Sequence, residues 1–236
     1  MDVCEGGDLH KRLQQNGPLD PGEAVRIGAA LADGLHYVHD HGILHRDMKP
    51  ANVLFDEQGT PKLVDFGLAA DIDAKTLTKE GAMMGTPAYM APEQAAGRTK
   101  QIDARTDVYG LGVLLFEALT GELPFAGGAI ATIRGIMEDD PPSLRSLRRG
   151  IPAGLERVIL KALAKDRADR FQTAAEMAAA LRAGTAGRVR KRRRYGVGLA
   201  VALAVALLAA AAGMTIRETS TALSVDEVNH QAALLR

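Results

Sequence analysis

Cysteine and tryptophan are nearly missing from this sequence. Its 236 residues include one cysteine, Cys4, and no tryptophan. A single cysteine excludes an internal disulfide and fits a reducing compartment for the segment that contains it. A lone thiol of this kind is more often a small apolar side chain than a nucleophile. The chain also lacks internal repeats, and its 47% hydrophobic content is enough to bury a core, which excludes a disordered or fibrous protein.

The net charge is zero, but the charges are unevenly placed along the chain. Residues 182–194 carry seven basic side chains and no acidic one, and residues 196–216 then contain no charge at all. A helix of these 21 residues would be roughly 30 Å long, the thickness of the hydrocarbon core of a bilayer. The run predicts a transmembrane helix, with a buried alanine-rich core helix as the alternative. Its position in the chain excludes a signal peptide.

The basic stretch predicts the orientation of this span. By the positive-inside rule, the residues before the span are cytoplasmic and the chain crosses the inner or plasma membrane once. Basic side chains can also bind nucleic acid, but beside a span they are more typical of contact with anionic lipid, so no nucleic-acid partner is expected. The predicted organisation is a folded domain over 1–181, a basic juxtamembrane linker over 182–195, the span 196–216, and a short extracytoplasmic tail over 217–236.

Small residues recur at four-residue intervals within the span, at Gly198, Ala202, Ala206 and Ala210. This spacing lets two helices approach closely and favours a homodimer through the span. The alternative is that an alanine-rich segment simply contains many small residues.

The first half of the chain carries signals for one long helix and one hairpin. Asp20 is placed as an N-cap, Pro21 as the first helical residue, and Glu23 three residues after the cap. Apolar residues then recur at three- and four-residue spacing, at Ala24, Ile27, Leu31, Leu35 and Val38. The apolar runs NVLF and PKLV, with the turn signal DEQG between them, predict a small β-hairpin.

The second half, from Ala91 to Leu181, has a helical pattern with breaks at Gly97, GELPF, DDPPS and RGIPAG. Within it, DVYGLGVLLFEALTG is nearly all apolar, which predicts a helix in the middle of the domain. The fold class predicted from these patterns is mainly α with a small β-hairpin.

Three short strings follow one another along the chain: HRDMKPAN at 45–52, DFG at 65–67 and APE at 91–93. Any one could occur by chance, but chance does not account for all three in this order at these spacings. Over residues 1–181 the chain resembles the C-terminal lobe of a eukaryotic-like serine/threonine protein kinase, of the membrane-anchored bacterial kind. The resemblance implies a kinase-like lobe that starts at the hinge between lobes.

The chemistry of phosphoryl transfer explains these residue types. It needs a carboxylate near the attacking hydroxyl, cations on the phosphate oxygens, and oxygen ligands for magnesium. Asp47 is expected to orient the substrate hydroxyl and accept its proton, and Lys49 to neutralise the transferring phosphate. Asn52 and Asp65 are expected to supply oxygens for Mg²⁺, or Mn²⁺ in its place, beside ATP. The implied partners are proteins with serine or threonine acceptors.

Two features resemble the serine/threonine class in particular. Lys49 is followed by Pro50, and tyrosine kinases generally lack that lysine. In GTPAYMAPE, Thr86 matches the threonine that bonds the catalytic aspartate and lysine. Met48 stands where leucine is commoner, a volume-conserving difference that we expect to matter little.

The resemblance also implies residues that support the catalytic loop. These are His45, Phe66, Gly67, Glu93, Asp107 and Arg170. Phe66 and Gly67 would set the position of the preceding aspartate. Glu93 and Arg170 match a buried ion pair, and Asp107 matches the residue that accepts bonds from the catalytic-loop backbone. Ordinary surface charges are the alternative for these last three residues.

Arg46, which directly precedes Asp47, is typical of kinases that are switched by phosphorylation of the activation loop. Thr76 and Thr78 are the candidate acceptors. A phosphate on either would pair with Arg46 and order the loop. The alternative is that both are ordinary loop threonines.

The opening MDVCEGGDL resembles the strand that leads into the kinase hinge, with Met1 at the gatekeeper position. Asp2 and Cys4 match hinge positions whose backbone groups bond adenine. Asp8 matches the ribose contact, and Leu54 matches the floor under the adenine ring.

Nothing before Asp47 offers a GxGxxG loop or a VAIK-like lysine strand. We therefore expect the N-terminal lobe to be missing and the chain as written to be a very poor kinase. The intact motifs favour an enzyme whose gene start was assigned too late. A non-catalytic kinase-like binding module at the membrane and a degraded gene without a stable product are the alternatives.

Overall fold

Helices make up most of the fold. The computed structural model describes residues 6–66 and 87–184 of the chain. Its α-helices are α1 (Leu9–Asn16), α2 (Pro21–Asp40), α3 (Pro92–Ala95), α4 (Ala104–Thr120), α5 (Ala129–Glu138), α6 (Leu144–Leu147), α7 (Ala153–Ala162) and α8 (174–184). Short 3₁₀ turns lie at Pro50–Asn52, Pro87–Tyr89 and Thr99–Gln101. The prediction of a mainly helical domain is confirmed.

Helix α2 begins where its capping signals predicted. Asp20 Oδ1 accepts a hydrogen bond from the Gly22 N–H at 2.8 Å, and Pro21 is the first helical residue. The apolar stripe of α2 is buried against the core. The spacing of Glu23 suggested a role in capping the start of α2. In the structure its carboxylate pairs with Arg12 of α1. This ion pair ties the two N-terminal helices together.

The predicted hairpin is also present. Strands β1 (Val53–Phe55) and β2 (Pro61–Leu63) pair antiparallel, with Val53 opposite Leu63. In the turn between them, Asp56 Oδ1 accepts hydrogen bonds from the backbone N–H groups of Gln58 and Thr60. These bonds satisfy backbone donors that the tight turn leaves without strand partners.

Helix α4 lies in the centre of the domain, as its apolar sequence predicted. Every residue from Thr106 to Phe116 is buried, and both α2 and α7 pack against α4. A Cβ at Gly110 would lie 2.7 Å from Cβ of Met48. Only a glycine therefore lets the loop that contains Met48 rest directly on α4.

A buried ion pair joins α3 to the segment that precedes α8. Arg170 donates two parallel hydrogen bonds of 2.9 Å to the carboxylate of Glu93, and Thr106 donates a third at 2.7 Å. The other guanidinium hydrogens reach the backbone carbonyls of Ala164, Lys165 and Arg105. Burial by itself raises the pKa of Glu93, but the hydrogen bonds and charge of Arg170 outweigh it and lower that pKa.

We expect Arg170→Met to lower the free energy of unfolding by about 3–5 kcal/mol, because the Glu93 carboxylate would stay buried without its cation. Urea unfolding followed by circular dichroism measures this change. Arg134→Met is the matched control, since Arg134 pairs with Glu138 on the surface, where both side chains are mostly exposed. The control should change stability by less than about 1 kcal/mol. Equal effects of the two substitutions would contradict the assignment.

Candidate active site

The side chains of Lys49 and Asn52 converge on Asp47. Lys49 Nζ lies 2.6 Å from Asp47 Oδ2, and Asn52 Nδ2 donates to the same oxygen at 3.1 Å and to the Asp47 carbonyl at 2.8 Å. Asp47 and Lys49 remain 43% and 38% exposed. The carboxylate is thus held from one side and open to solvent on the other, as a group that receives a proton from a substrate must be.

Local backbone geometry explains this convergence. Lys49 is extended, with φ −153° and ψ 159°, and Pro50 then begins a 3₁₀ turn because its φ is already suited to one. The turn closes when the Asn52 N–H donates to the Lys49 carbonyl at 3.0 Å. It brings Asn52 back beside Asp47, five positions earlier in the chain.

Asp107, in the first turn of α4, binds the backbone of the loop that contains His45, Arg46 and Asp47. Its carboxylate accepts the backbone N–H of His45 at 2.9 Å and that of Arg46 at 2.7 Å. Arg46 has φ +64°, a left-handed conformation that costs a side-chain-bearing residue about 1–3 kcal/mol. These two charge-assisted bonds offset that cost and fix the direction in which the next residue, Asp47, leaves the loop.

His45 connects the loop to the residues around Asp65. Its Nε2 lies 3.0 Å from the Val64 carbonyl, and its Nδ1 accepts from the Asp47 N–H at 3.3 Å. Both contacts are satisfied by the tautomer with its hydrogen on Nε2. The His45 ring also meets the Phe66 ring edge to face, with centroids 4.8 Å apart. The position of Asp65 is therefore coupled to that of Asp47.

Asn52 and Asp65 offer oxygens that suit a hard cation. The Val64 N–H donates to the Asn52 carbonyl at 3.1 Å, which brings Asp65 next to Asn52. Asn52 uses its amide nitrogen on Asp47, which leaves its Oδ1 as an acceptor. Asp65 is exposed and has φ +62°. A neutral and an anionic oxygen in this position fit Mg²⁺, which takes few protein ligands and keeps water or phosphate oxygens for the rest. Within residues 6–66 and 87–184, no cluster of three His, Cys, Asp or Glu side chains offers another metal site.

Asp8 and Leu54, predicted to contact ribose and adenine, lie close together. Asp8 forms a bridge with Leu54 of β1, and its Oδ1 caps α1 by accepting from the Lys11 N–H at 2.7 Å. This backbone bond is the main reason that the pKa of Asp8 is lowered. The cap uses one carboxylate oxygen, and the ribose contact stays a prediction.

Several predicted residues lie outside the part of the chain that the structure describes. They are Asp2, Cys4, Gly67, Thr76, Thr78, Thr86 and the run 196–216. Among the residues that are described, no helix is both long and apolar enough to cross a membrane.

Two residues of the site were missed by the sequence analysis. His39 Nε2 lies 2.7 Å from Asp107 Oδ2, so this carboxylate has a third partner. Gln94 donates to the Arg46 carbonyl at 2.8 Å and accepts from the Ala91 N–H at 2.9 Å. His39 follows Leu35 by four positions and thus lies on the buried face of α2. A polar side chain on a buried face indicates a specific hydrogen-bond partner, so this position could have been singled out from the sequence. No feature of the sequence around Gln94 points to its contact with Arg46.

An open carboxylate with a lysine beside it and metal-competent oxygens next to it, all held on a helical core, is the arrangement that phosphoryl-transfer enzymes use. The protein kinase domain family model matches residues 1–180. The chain belongs to the protein kinase family.

Its relatives are eukaryotic-like serine/threonine kinases of bacteria. The chain is 43% identical over 185 residues to the serine/threonine-protein kinase PknB of Mycobacterium leprae and 41% identical over 186 residues to PknB of Mycobacterium tuberculosis, with 77% of the chain aligned in each case. It is 38% identical over 182 residues to the serine/threonine-protein kinase PrkC of Bacillus subtilis. The aligned part spans 28–29% of the length of these relatives.

Removing one acceptor from Asp107 should loosen the loop. In Asp107→Asn, an amide nitrogen would face one of the two backbone N–H groups, so we expect the amides of His45 and Arg46 to exchange with solvent at least about tenfold faster. Hydrogen exchange followed by NMR measures this. Asp40→Asn, at an exposed carboxylate near His36, is the control and should leave both amides unchanged. Unaltered exchange in Asp107→Asn would show that the loop does not depend on this carboxylate.

Proposed function

We propose that the chain carries the C-terminal, catalytic-loop lobe of a serine/threonine protein kinase, which transfers the γ-phosphate of ATP to protein hydroxyl groups. The observation that carries this proposal is the convergence of Lys49 and Asn52 on one oxygen of Asp47. A structural ion pair has no need for a metal-competent amide on the same carboxylate. The similarity to PknB and PrkC supports serine and threonine as acceptors.

Each residue has a defined task in this proposal. Asp47 accepts the proton of the substrate hydroxyl on its open side and directs the hydroxyl oxygen toward the γ-phosphate. Lys49, now paired with Asp47, reaches the transferring phosphate and offsets its charge. Asn52 and Asp65 would hold Mg²⁺, or Mn²⁺ in its place, which neutralises phosphate oxygens when bound with ATP. Thr86 would bond Asp47 and Lys49 and keep them in register.

Adenine binding in this proposal uses the beginning of the chain. Asp2 and Cys4 would offer backbone groups to the adenine edge, with Leu54 against its face and Asp8 near the ribose. The pairing of Gly6 and Gly7 with Phe55 supports this arrangement, because the Gly6 N–H donates to the Phe55 carbonyl and the Phe55 N–H to the Gly7 carbonyl. These bonds bring Gly6 and Gly7 alongside β1.

The 236 residues taken alone should transfer phosphate poorly. Their sequence has no glycine-rich loop motif and no VAIK-like lysine motif before Asp47, the two motifs that hold the phosphates from the other side in protein kinases. Loss of one preorganised donor costs about 10²- to 10³-fold in rate, and here several are missing together. A kinase-like module that binds partners without catalysis is the second candidate.

Arg46 supports control by phosphorylation of the segment that holds Thr76 and Thr78. Its Nε is buried and has no hydrogen-bond partner among residues 6–66 and 87–184. A buried unpaired guanidinium nitrogen is costly, so a phosphate that pairs with it would be stabilised and would order the segment.

The catalytic proposal is tested by joining the chain to the nucleotide-binding lobe of a related kinase such as PknB. We expect the fusion to label serine or threonine of a protein substrate, and Asp47→Asn to reduce labelling by at least about 10²-fold, since general acid–base groups contribute 10²–10⁴. Asp40→Asn is the matched control and should keep full activity. Full activity in Asp47→Asn, or phosphotyrosine as the main product, would overturn the proposal. A fusion that binds ATP and transfers nothing would favour the non-catalytic module.

We further propose that residues 196–216 anchor the chain in the inner or plasma membrane as a single span, with the kinase region cytoplasmic and the basic stretch at lipid headgroups. Support comes from the length and the absence of charge in the run. Pairing of two spans through Gly198, Ala202, Ala206 and Ala210 would raise the effective concentration of one kinase region near the other.

Membrane anchoring is tested by fractionating cells that produce the full chain. The chain should stay in the membrane pellet after an alkaline carbonate wash, and deletion of residues 196–216 should release it to the supernatant. Ala202→Leu with Ala206→Leu keeps the span apolar and serves as the control for retention. Release of the unaltered chain by carbonate would refute the span.

A further inference from the structure

The C-terminal end of α5 is held by one side chain from a distant part of the sequence. Lys165 Nζ donates to the carbonyls of Gly135 at 2.8 Å and Ile136 at 2.7 Å. The same ammonium group lies 4.0 Å from the centroid of the Phe125 ring. Helix α5 has no basic residue in its own last turn, so Lys165 supplies the positive charge that stabilises a helix C-terminus.

The ring of Phe125 and α5 are in tight contact at this point. A Cβ at Gly135 would lie 2.9 Å from Cδ1 of Phe125. The absence of a side chain at position 135 therefore allows the ring, the helix backbone and the ammonium group to meet in one place. Such a three-way contact specifies a position along the helix more narrowly than apolar packing alone.

Lys165 is also bonded to the buried Glu93–Arg170 pair. The Arg170 guanidinium donates to the Lys165 carbonyl at 3.1 Å. The main chain of Lys165 thus contacts the ion pair, and its side chain contacts the end of α5. Lys165 forms a direct connection between Glu93 of α3 and the end of α5.

Burial of this lysine carries an electrostatic cost. Loss of solvent lowers the pKa of Lys165 to about 8, Asp139 and Asp140 after α5 act in the opposite direction, and Arg170 adds to the lowering. A lysine that is costly to bury and yet makes three directed contacts is more typical of a residue that sets geometry than of one that adds stability.

Helix α5 packs on α3 and on the turn Pro87–Tyr89. That turn directly follows Thr86, which the proposed function places beside Asp47 and Lys49. We propose that Lys165 is a positioning residue that locks α5, and through it the turn Pro87–Tyr89, to the Glu93–Arg170 pair. The proposal rests on the proposed function only for the role of this turn beside the catalytic loop.

The test is hydrogen exchange followed by mass spectrometry on the full chain. Lys165→Met keeps the length and apolar stem of the side chain but removes its donors. We expect peptides within 125–139 to exchange at least about tenfold faster in this variant, while peptides of α2 and α4 exchange as before. Lys165→Arg keeps the charge and can donate to two carbonyls, so it should restore the slow exchange to within about threefold.

Lys161→Met is the matched control. Lys161 lies in the last turn of α7, and its ammonium group sits 4.5 Å from the Phe171 ring without reaching α5. This variant should leave exchange in 125–139 unchanged. The assay measures no phosphoryl transfer, so its result is separate from the fate of the catalytic proposal.

Three results would overturn the proposal. Exchange in 125–139 could be unchanged in Lys165→Met, which would show that apolar packing alone holds α5. Exchange could rise equally in α2 and α4, which would make Lys165 a contributor to general stability. Lys161→Met could speed exchange in 125–139 as much as Lys165→Met does, which would show that the effect is not specific to the contacts of Lys165.

Discussion

The backbone N–H groups of His45 and Arg46 both donate to the carboxylate of Asp107, and His39 contacts one of its two oxygens. This carboxylate belongs to α4, which is buried along most of its length. The loop that holds Asp47 is therefore attached to the most rigid element of the domain. This carboxylate binds the Arg46 N–H, and together with the bond from Gln94 to the Arg46 carbonyl it offsets the left-handed backbone of Arg46.

The orientation of Asp47 follows from this attachment. Asp47 leaves the loop immediately after the residue with positive φ, and Lys49 and Asn52 then hold one of its oxygens. His45 passes the same constraint to the residues around Asp65 through the Val64 carbonyl. One buried carboxylate thus influences the relative positions of the Asp47 carboxylate and of the Asn52 and Asp65 oxygens.

A second set of buried charges organises the other end of the domain. Arg170 binds Glu93 through two bonds and the carbonyl of Lys165 through another, and Lys165 binds the end of α5. Burying charge is unfavourable unless partners are in place, so each of these charged groups depends on the contacts it makes. Such an arrangement favours one geometry over near alternatives.

Local patterns in the sequence determined the helices, the hairpin and the residue types of the site. Asp20 and Pro21 start α2 because capping depends only on neighbours in the chain. The string HRDMKPAN was enough to predict Asp47, Lys49 and Asn52 as site residues. The 3₁₀ turn at Pro50–Asn52 that brings them together is a local structure, set by neighbours in the chain. Contacts of His39, Gln94 and Lys165 were decided by the tertiary structure alone. Each joins residues between 29 and 68 positions apart, and the packing of separate elements, α2 on α4 and α5 on α3, brings distant segments together. Periodicity shows which face of a helix is buried, but not which partner meets it, because that depends on how separate helices stack in three dimensions.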